Sequence, residues 1–297
     1  MTTEARSARY ADLDLWPTDA AVEAMLEAQL AAAAAVQPQA RAIARAADEA
    51  SARLADSAGR LIYVGAGTSG RIAVQDGVEL GPTYGWDGDR VAYLLAGGGD
   101  ALVSSVEGAE DDAAAGEREM RDLAPTASDV IVAVAASGTT PYTVAALAQG
   151  RADGALTVGF ANNPAAPLLA LATHPILLDT GAEVVTGSTR MKAGTAQKIA
   201  LNLFSTAIML RLGRIHAGLM VDMRVSNAKL RQRAVAMIGE IAGVDGKVAE
   251  DALDQAAGGI KRAVLIALGQ TPEQSAISLR SAGGNLRRAL GRADTDE

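Results

Sequence analysis

The sequence predicts an α/β protein built on a doubly wound, five-stranded parallel sheet with helices on both faces. Two observations lead to this fold class. Short apolar runs lie at 61–64, 91–95, 130–134, 156–160 and 176–178, and a segment of helical composition separates each run from the next. Runs this short that are apolar throughout are typical of strands buried on both faces, as in a parallel sheet.

Helical segments flank the sheet region on both sides. The alanine-rich start has apolar residues at helical spacing and is interrupted at Pro38. Beyond the sheet, the sequence predicts helices at 190–212 and 219–239. Asp245 is expected to cap a further helix. The segment TPEQ at 271–274 combines a capping hydroxyl, a proline at the first helical position and a capping-box glutamine. We therefore expect a helical segment at 1–59, a sheet domain at 60–235 and a small helical domain at 236–297.

Composition and charge exclude several classes of partner and site. The 297 residues carry a formal net charge of -8, which disfavours nucleic acid and anionic membranes as partners. The absence of cysteine excludes disulfides, zinc–thiolate sites and a cysteine nucleophile. With only His174 and His216, we expect neither a metal nor a cofactor, and both histidines are interpreted as surface or structural. The charged start, 1–16, lacks an apolar signal core, so we expect a cytoplasmic protein.

Three loops combine glycine with hydroxyl side chains where a run of strand character gives way to a helix. They are GAGTSG at 65–70, AASGTT at 135–140 and TGST at 186–189, and the following helices are expected from Arg71, from Pro141 and near Arg190. Free N–H groups at helix starts carry partial positive charge, and hydroxyls add donors, so such loops suit a phosphate. Parallel strands bring them together at the carboxyl edge of the sheet. The alternative is that glycine makes the turns and the hydroxyls cap the helices.

The first loop also matches the G-x-G-x-x-G pattern of dinucleotide-binding folds, with Gly65, Gly67 and Gly70. A dinucleotide site needs an acidic residue about 20 positions further on. The nearest equivalent is Asp100, 35 positions after Gly65. Because this interpretation also leaves two hydroxyl loops unused, it ranks behind a sugar phosphate.

Six segments together resemble the N-acetylmuramic acid 6-phosphate etherase family. They are LIYVGAGTSGR at 61–71, PTYG at 82–85, VEGAED at 106–111, AASGTTPY at 135–142, GAEVVTGSTRMKAGTAQK at 181–198 and LMVD at 219–222. The resemblance is nearly continuous from 60 to 233, and it is weaker but collinear from there to the C-terminus. The alanine-rich stretch at 28–36 departs from the family pattern. It implies the sugar isomerase (SIS) fold and a homodimer. It also implies cleavage of the D-lactyl ether of N-acetylmuramic acid 6-phosphate by water, which yields N-acetylglucosamine 6-phosphate and D-lactate for cell-wall sugar recycling.

The resemblance also implies the site residues. The catalytic pair falls on Glu79 and Glu110; Glu79 is favoured as the acid that protonates the leaving lactate, and Glu110 for proton transfer at C2, with this division left open. Without the resemblance, Glu79 would be interpreted as an ordinary solvated glutamate late in a helix. Glu110 would be interpreted as an acidic residue that stabilises the first turn of a helix.

Analogy with SIS domains gives the substrate contacts. It assigns the phosphate to Ser137, Thr139 and Thr140, and the sugar side to Thr68 and Ser69. Weaker candidates from the third loop are Ser188 and Lys192. Glu183, just before that loop, is a candidate for binding a sugar hydroxyl. Lys192 also fits a solvated first-turn cation, and Glu183 fits the end of a strand.

Helix geometry separates one member of the pair from the first loop. Ten helical residues between Ser69 and Glu79 span about 15 Å, which exceeds the length of a hexose phosphate. Glu79 is therefore expected to serve a phosphate held elsewhere, either on the loop at 137–140 or in the partner subunit. Our hypothesis is a site at a dimer interface that uses residues from both chains. Two alternatives remain, a sugar-phosphate isomerase and a non-catalytic sugar-phosphate sensor; a sensor would not need the pair of glutamates.

Overall fold

The structure, a computed structural model, describes residues 3–55 and 58–291. The chain forms two compact units, Met1–Gly77 with Asp89–Ala207 and Val78–Gly88 with Ile208–Glu297. The expected division into parts at 1–59, 60–235 and 236–297 stays a prediction.

The first unit contains the expected sheet, which confirms the predicted fold class. In the described part of the chain, its five strands are parallel and lie in the order β2-β1-β3-β4-β5. The three inner strands are buried along their whole length, and this explains why their sequences are apolar without alternation. The strands are β1 (Leu61–Gly65), β2 (Val91–Leu95), β3 (Val130–Ala135), β4 (Leu156–Ala161) and β5 (His174–Leu177).

Helices surround this sheet, and small residues let them approach closely. A Cβ on Gly150 would lie 1.9 Å from the Cδ1 atom of Ile131, and one on Gly116 would lie 2.2 Å from the carbonyl oxygen of Tyr142. The helices that begin in this unit are α1 (Thr18–Ala34), α2 (Ala40–Ala55), α3 (Gly67–Tyr84), α4 (Ala113–Asp122), α5 (Pro141–Ala152), α6 (Pro167–Leu171) and α7 (Lys192–Arg211).

Two loop predictions were wrong in detail. The helix that follows β1 begins at Gly67 rather than Arg71, so the hydroxyls of the first loop lie in the first turn of α3. The segment EVV at 183–185, which has strand character in the sequence, is not a strand, because 178–191 is irregular and α7 begins at Lys192. The third hydroxyl loop therefore leads into a helix without following a strand directly.

The amino edge of the sheet is closed by an ion pair between the residues that precede β1 and β3. Asp129 accepts hydrogen bonds from the backbone N–H of Arg60 at 2.7 Å, from its Nε at 3.1 Å and Nη2 at 3.0 Å, and from the N–H of Thr126 at 2.7 Å. Burial opposes ionisation of Asp129, but these donors outweigh it and lower the pKa of the carboxyl.

A second buried carboxylate, Asp76, joins α3 to β1 and α7. It accepts hydrogen bonds from the hydroxyl of Tyr63 at 2.9 Å, from the Nδ2 of Asn202 at 2.6 Å and from the hydroxyl of Ser205 at 3.2 Å. Burial raises the pKa of Asp76, because these neutral donors and the nearby Lys198 only partly offset desolvation.

The second unit is helical and has its own apolar core. The sequence signals at Asp245 and Thr271 are confirmed: Asp245 accepts the N–H of Val248 at 2.9 Å, and Thr271 forms a capping box with Gln274. The helices are α8 (Ala228–Ala242), α9 (Gly246–Gln255), α10 (Ile260–Ala267), α11 (Pro272–Ser281) and α12 (Leu286–Ala289). Among the described residues, no helix is both long enough and apolar enough to cross a bilayer.

Candidate active site at the carboxyl edge of the sheet

A cavity of about 340 Å³ opens where β1 and β3 end. From these adjacent strands the chain leaves in opposite directions, since β1 leads to β2 on one side and β3 leads to β4 on the other. Ligands of doubly wound sheets bind at this switch point. The cavity is lined by Glu4, Ala66, Gly67, Thr68, Ser69, Glu110, Asp111, Ala135, Ala136, Ser137, Thr139, Thr140, Pro141, Gly187 and Thr189.

The glycines of the first loop explain how its hydroxyls reach the cavity. A Cβ on Gly65 would lie 2.7 Å from the Cα of Gly70, so only two glycines allow this approach of the strand end and the helix. Gly67 begins α3 with a φ of +51°, which favours glycine. Thr68 and Ser69 then lie in the first helical turn, where backbone N–H groups lack helical acceptors.

The second loop gathers three hydroxyl groups before α5. The hydroxyl of Ser137 accepts the N–H of Thr139 at 3.2 Å and lies 3.5 Å from the hydroxyl of Thr140. Thr140 is the N-cap residue of α5, but its side chain makes no capping hydrogen bond. Gly138 has a φ of +67°, and a Cβ there would lie 2.2 Å from the Cβ of Ala166. Helix capping alone therefore does not account for the hydroxyl of Thr140, which stays available to an anion at the start of α5.

Asn163, which follows β4, fixes the backbone of the second loop from behind. It is 3% exposed, and its Nδ2 donates to the carbonyl oxygen of Ala136 at 2.9 Å and to that of Ser137 at 3.4 Å. Because buried amides that are hydrogen-bonded on several sides are rigid, the hydroxyl loop is held in place before any ligand arrives.

Carboxylates line the rest of the cavity. Glu110 lies in a 3₁₀ turn, Ala109–Asp111, just before α4, and is exposed. Asp111 and Glu4 also line the cavity, whereas no lysine, arginine or histidine does so among the described residues. For a phosphate, this cavity offers hydroxyls, backbone N–H groups and helix starts, whereas the carboxylates at its other end would repel the phosphate charge.

The cavity brings together six of the ten residues proposed from the sequence, and four lie elsewhere. Glu79 is exposed on α3 within the second unit. Ser188 is half-buried in the third loop. Glu183 is buried and accepts the backbone N–H groups of Lys192 and Ala193 at 2.9 Å each, so it caps α7. The ammonium group of Lys192 donates to the carbonyl oxygen of Ala182 at 2.9 Å. The functional roles of all ten residues stay predictions.

Nine lining residues were not among the proposed site residues. Five of these belong to the first two loops or the start of α5, and the other four are Glu4, Asp111, Gly187 and Thr189. Two belong to the third loop, which had been singled out for its hydroxyls, and Asp111 is the neighbour of a proposed residue. Glu4 has no local signal, because a contact across 160 residues brings the N-terminal segment to the cavity.

A second depression, of about 450 Å³, lies within the second unit and has the opposite charge. It is lined by Arg214, Arg224, Lys261 and Arg262, with Asp222 as the acidic member. The side chain of Lys261 is 6% exposed and forms an ion pair with Asp222, so much of this charge stabilises the unit internally.

Comparisons with known proteins agree with this geometry. Residues 42–151 match the family model of the glucokinase regulatory protein N-terminal SIS domain, and residues 113–207 match the SIS domain model. The N-acetylmuramic acid 6-phosphate etherase of Deinococcus radiodurans is 50% identical over 286 residues, which cover 96% of this chain and 93% of that protein. Proteins of the same name from Streptomyces coelicolor and Halalkalibacterium halodurans are 44% and 42% identical, over 99% and 98% of this chain and 94% and 97% of theirs.

Proposed function

The chain belongs to the N-acetylmuramic acid 6-phosphate etherase family, and from this premise we propose that it cleaves the D-lactyl ether of N-acetylmuramic acid 6-phosphate. The products are N-acetylglucosamine 6-phosphate and D-lactate, and the role is recycling of cell-wall amino sugars. The observation that carries the proposal is the switch-point cavity, in which two hydroxyl loops face a set of carboxylates.

The phosphate binds at the second loop. Ser137, Thr139 and Thr140 offer hydroxyls and backbone N–H groups at the start of α5, and such an arrangement is suited to phosphate. Thr68 and Ser69 hold the sugar from the first turn of α3. Glu183, Ser188 and Lys192 stay weaker binding candidates.

An alkyl ether resists direct displacement, but the sugar itself offers another route. In the open-chain form, the C1 aldehyde acidifies the proton on C2, and the ether oxygen lies on C3. A base removes the C2 proton while an acid protonates the departing oxygen, so the C3–O bond breaks and lactate leaves. Water then adds to C3 of the resulting enal, and a proton returns to C2. The route needs one base, one acid and an anchored phosphate.

Two glutamates supply the proton transfers in this proposal. Glu110 acts at C2, and its position in the cavity wall supports this assignment. Glu79 protonates the lactate oxygen and later activates water. Because ten helical residues separate Glu79 from Ser69, about 15 Å of rise, we propose that Glu79 comes from the partner subunit of a homodimer. The family resemblance implies the homodimer, and we propose that it acts in the cytoplasm.

The test of the chemistry is turnover in ¹⁸O-labelled water. Elimination puts the label on C3 of the sugar and none in lactate, because the ether oxygen leaves with lactate. The C1 oxygen exchanges by itself, so N-acetylglucosamine 6-phosphate in labelled water is the control. Label in lactate rejects the elimination route. Aldose–ketose conversion without lactate release indicates an isomerase, and binding without any turnover indicates a sensor.

Complementation tests the shared site. Glu79→Gln and Glu110→Gln are each expected to be almost inactive alone, and subunit exchange between them should restore activity at one site of each mixed dimer. No recovery despite proven exchange of labelled subunits would reject the interfacial site while leaving the reaction itself intact.

A further inference from the structure

The N-terminal segment is tied to the hydroxyl loop by a buried network. Thr3 is fully buried, its N–H donates to the Oδ1 of Asn163 at 3.4 Å, and its hydroxyl accepts from the Nδ2 of Asn163 at 3.1 Å. The same amide holds the carbonyl oxygens of Ala136 and Ser137. Buried polar groups satisfied in this way fix geometry, so Thr3 and the second loop form one rigid piece.

This anchoring brings the next residue, Glu4, to the cavity. Glu4 lines the cavity, and its Oε2 atom lies 3.0 Å from the point that a Cβ on Gly187 would occupy. Gly187 has a φ of +74°, so glycine is favoured there for its backbone and also leaves room for the carboxylate. Among the described residues, Glu4 has no hydrogen bond or ion pair, and a free acceptor therefore faces the third loop and the cavity.

We propose that Glu4 is a sugar-binding residue, whose carboxylate accepts a hydrogen bond from a hydroxyl or amide N–H group of the substrate. A carboxylate only accepts hydrogen bonds and repels phosphate, whereas the ring substituents of an amino sugar are donors. Thr3 is a positioning residue that acts through Asn163. This inference rests on the proposed sugar-phosphate site and adds the N-terminal segment to it.

Two binding probes separate this role from a mere effect of charge. For Glu4→Ala, the Kd of N-acetylglucosamine 6-phosphate should rise about 10-fold or more, the range for a lost hydrogen bond to a charged group. The Kd of inorganic phosphate should stay equal or fall, because a negative charge leaves the cavity. If both ligands bind more tightly, or neither changes, Glu4 does not bind the sugar. Glu23→Ala, which removes an exposed carboxylate on α1, is the matched control and should leave both constants unchanged.

Two further variants keep the proposal testable. Thr3→Val removes the hydroxyl with little change of volume; it should raise the KM of the muramic substrate several-fold and leave kcat nearly unchanged, whereas a structural role would lower the melting temperature without this split. Glu4→Gln retains an acceptor and should rescue part of the binding lost in Glu4→Ala; no rescue would contradict a hydrogen bond. If the wild type binds the sugar phosphate but releases no lactate, the etherase proposal fails while the Glu4 comparison still gives an answer.

Discussion

The two edges of the sheet hold carboxylates in opposite states. At the amino edge, Asp129 is buried and accepts hydrogen bonds from a guanidinium and from two backbone N–H groups. At the carboxyl edge, Glu110 and Asp111 line an open cavity and, within the described residues, make no side-chain hydrogen bond or ion pair. The carboxylate acceptors are therefore filled by hydrogen bonds at the amino edge and unfilled at the carboxyl edge.

This difference shows which carboxylates are available for chemistry. A buried carboxylate with all its acceptor positions filled stabilises the fold and cannot take a proton without losing those partners. An exposed carboxylate beside the two hydroxyl loops can exchange protons with a ligand that these loops bind. The edge with unfilled acceptors is also the edge where ligands of doubly wound sheets bind.

The largest expected effect is on catalysis at the carboxyl edge. Glu110→Gln should lower kcat by about 10³-fold, because general acid–base groups contribute about 10²–10⁴-fold and an amide transfers no proton. Urea unfolding should be unchanged, since no partner is lost. Glu107→Gln is the matched control in the same loop, because Glu107 is exposed and does not line the cavity. Equal losses in both variants would place the effect in the loop rather than in Glu110.

The reverse pattern is expected at the amino edge. Asp129→Ala should lower the free energy of unfolding by about 3 kcal/mol, because Arg60 and the N–H of Thr126 lose their acceptor. Activity per folded molecule should persist at temperatures below the transition. A variant of normal stability, or a folded variant without activity, would break the contrast between the edges.

A smaller effect is expected at the hydroxyl loop. Ser137→Ala should raise KM about 10-fold, which corresponds to one lost hydrogen bond to a charged phosphate. Ser128→Ala, which changes a half-buried serine in the turn before β3, is the control. Steady-state kinetics on both variants would show whether the effect belongs to the cavity, and equal KM values for Ser137→Ala and the wild type would remove this hydroxyl from the binding site.

The smallest effect concerns the pH dependence of stability at the two buried aspartates. The pKa of Asp129 is lowered, so its contribution to stability is complete above the unfolded pKa near 4 and is lost as pH falls through the folded pKa. The pKa of Asp76 is raised by burial, so its contribution is complete below the unfolded pKa and is lost as pH rises through the folded pKa.

Urea unfolding of Asp129→Asn and Asp76→Asn from about pH 4 to about pH 7 would measure this difference. The difference in free energy of unfolding between wild type and Asp129→Asn should stay constant above about pH 5, where the unfolded carboxyl is also ionised. The difference in free energy of unfolding between wild type and Asp76→Asn should shift in favour of the variant as pH rises. A flat result for Asp76→Asn would show that its neutral donors fully compensate burial.

The three inner strands were predictable because burial on both faces leaves a short run that is apolar throughout. The second loop was predictable from local sequence as well, because the end of a strand is followed by hydroxyl residues, a glycine and Pro141. The run at 183–185 imitates a strand in sequence, yet Glu183 turns inward to cap α7. Local patterns cannot distinguish these outcomes, because the helix start that Glu183 caps lies nine residues away.

The N-terminal part of the site lay beyond local inference. Thr3 and Asn163 are separated by 160 residues, so no spacing or periodicity connects them. The two proposed catalytic glutamates were likewise inconspicuous as residues, since both are exposed acids on helical turns. Only the family resemblance singled them out.

A crystal structure with bound N-acetylglucosamine 6-phosphate tests most directly whether the carboxyl edge holds the substrate. The phosphate oxygens should lie about 2.5–3.2 Å from the hydroxyls or N–H groups of Ser137, Thr139 and Thr140, with the sugar directed toward Glu110. A sugar phosphate found in the cationic depression of the second unit, with the hydroxyl loop empty, would contradict this assignment.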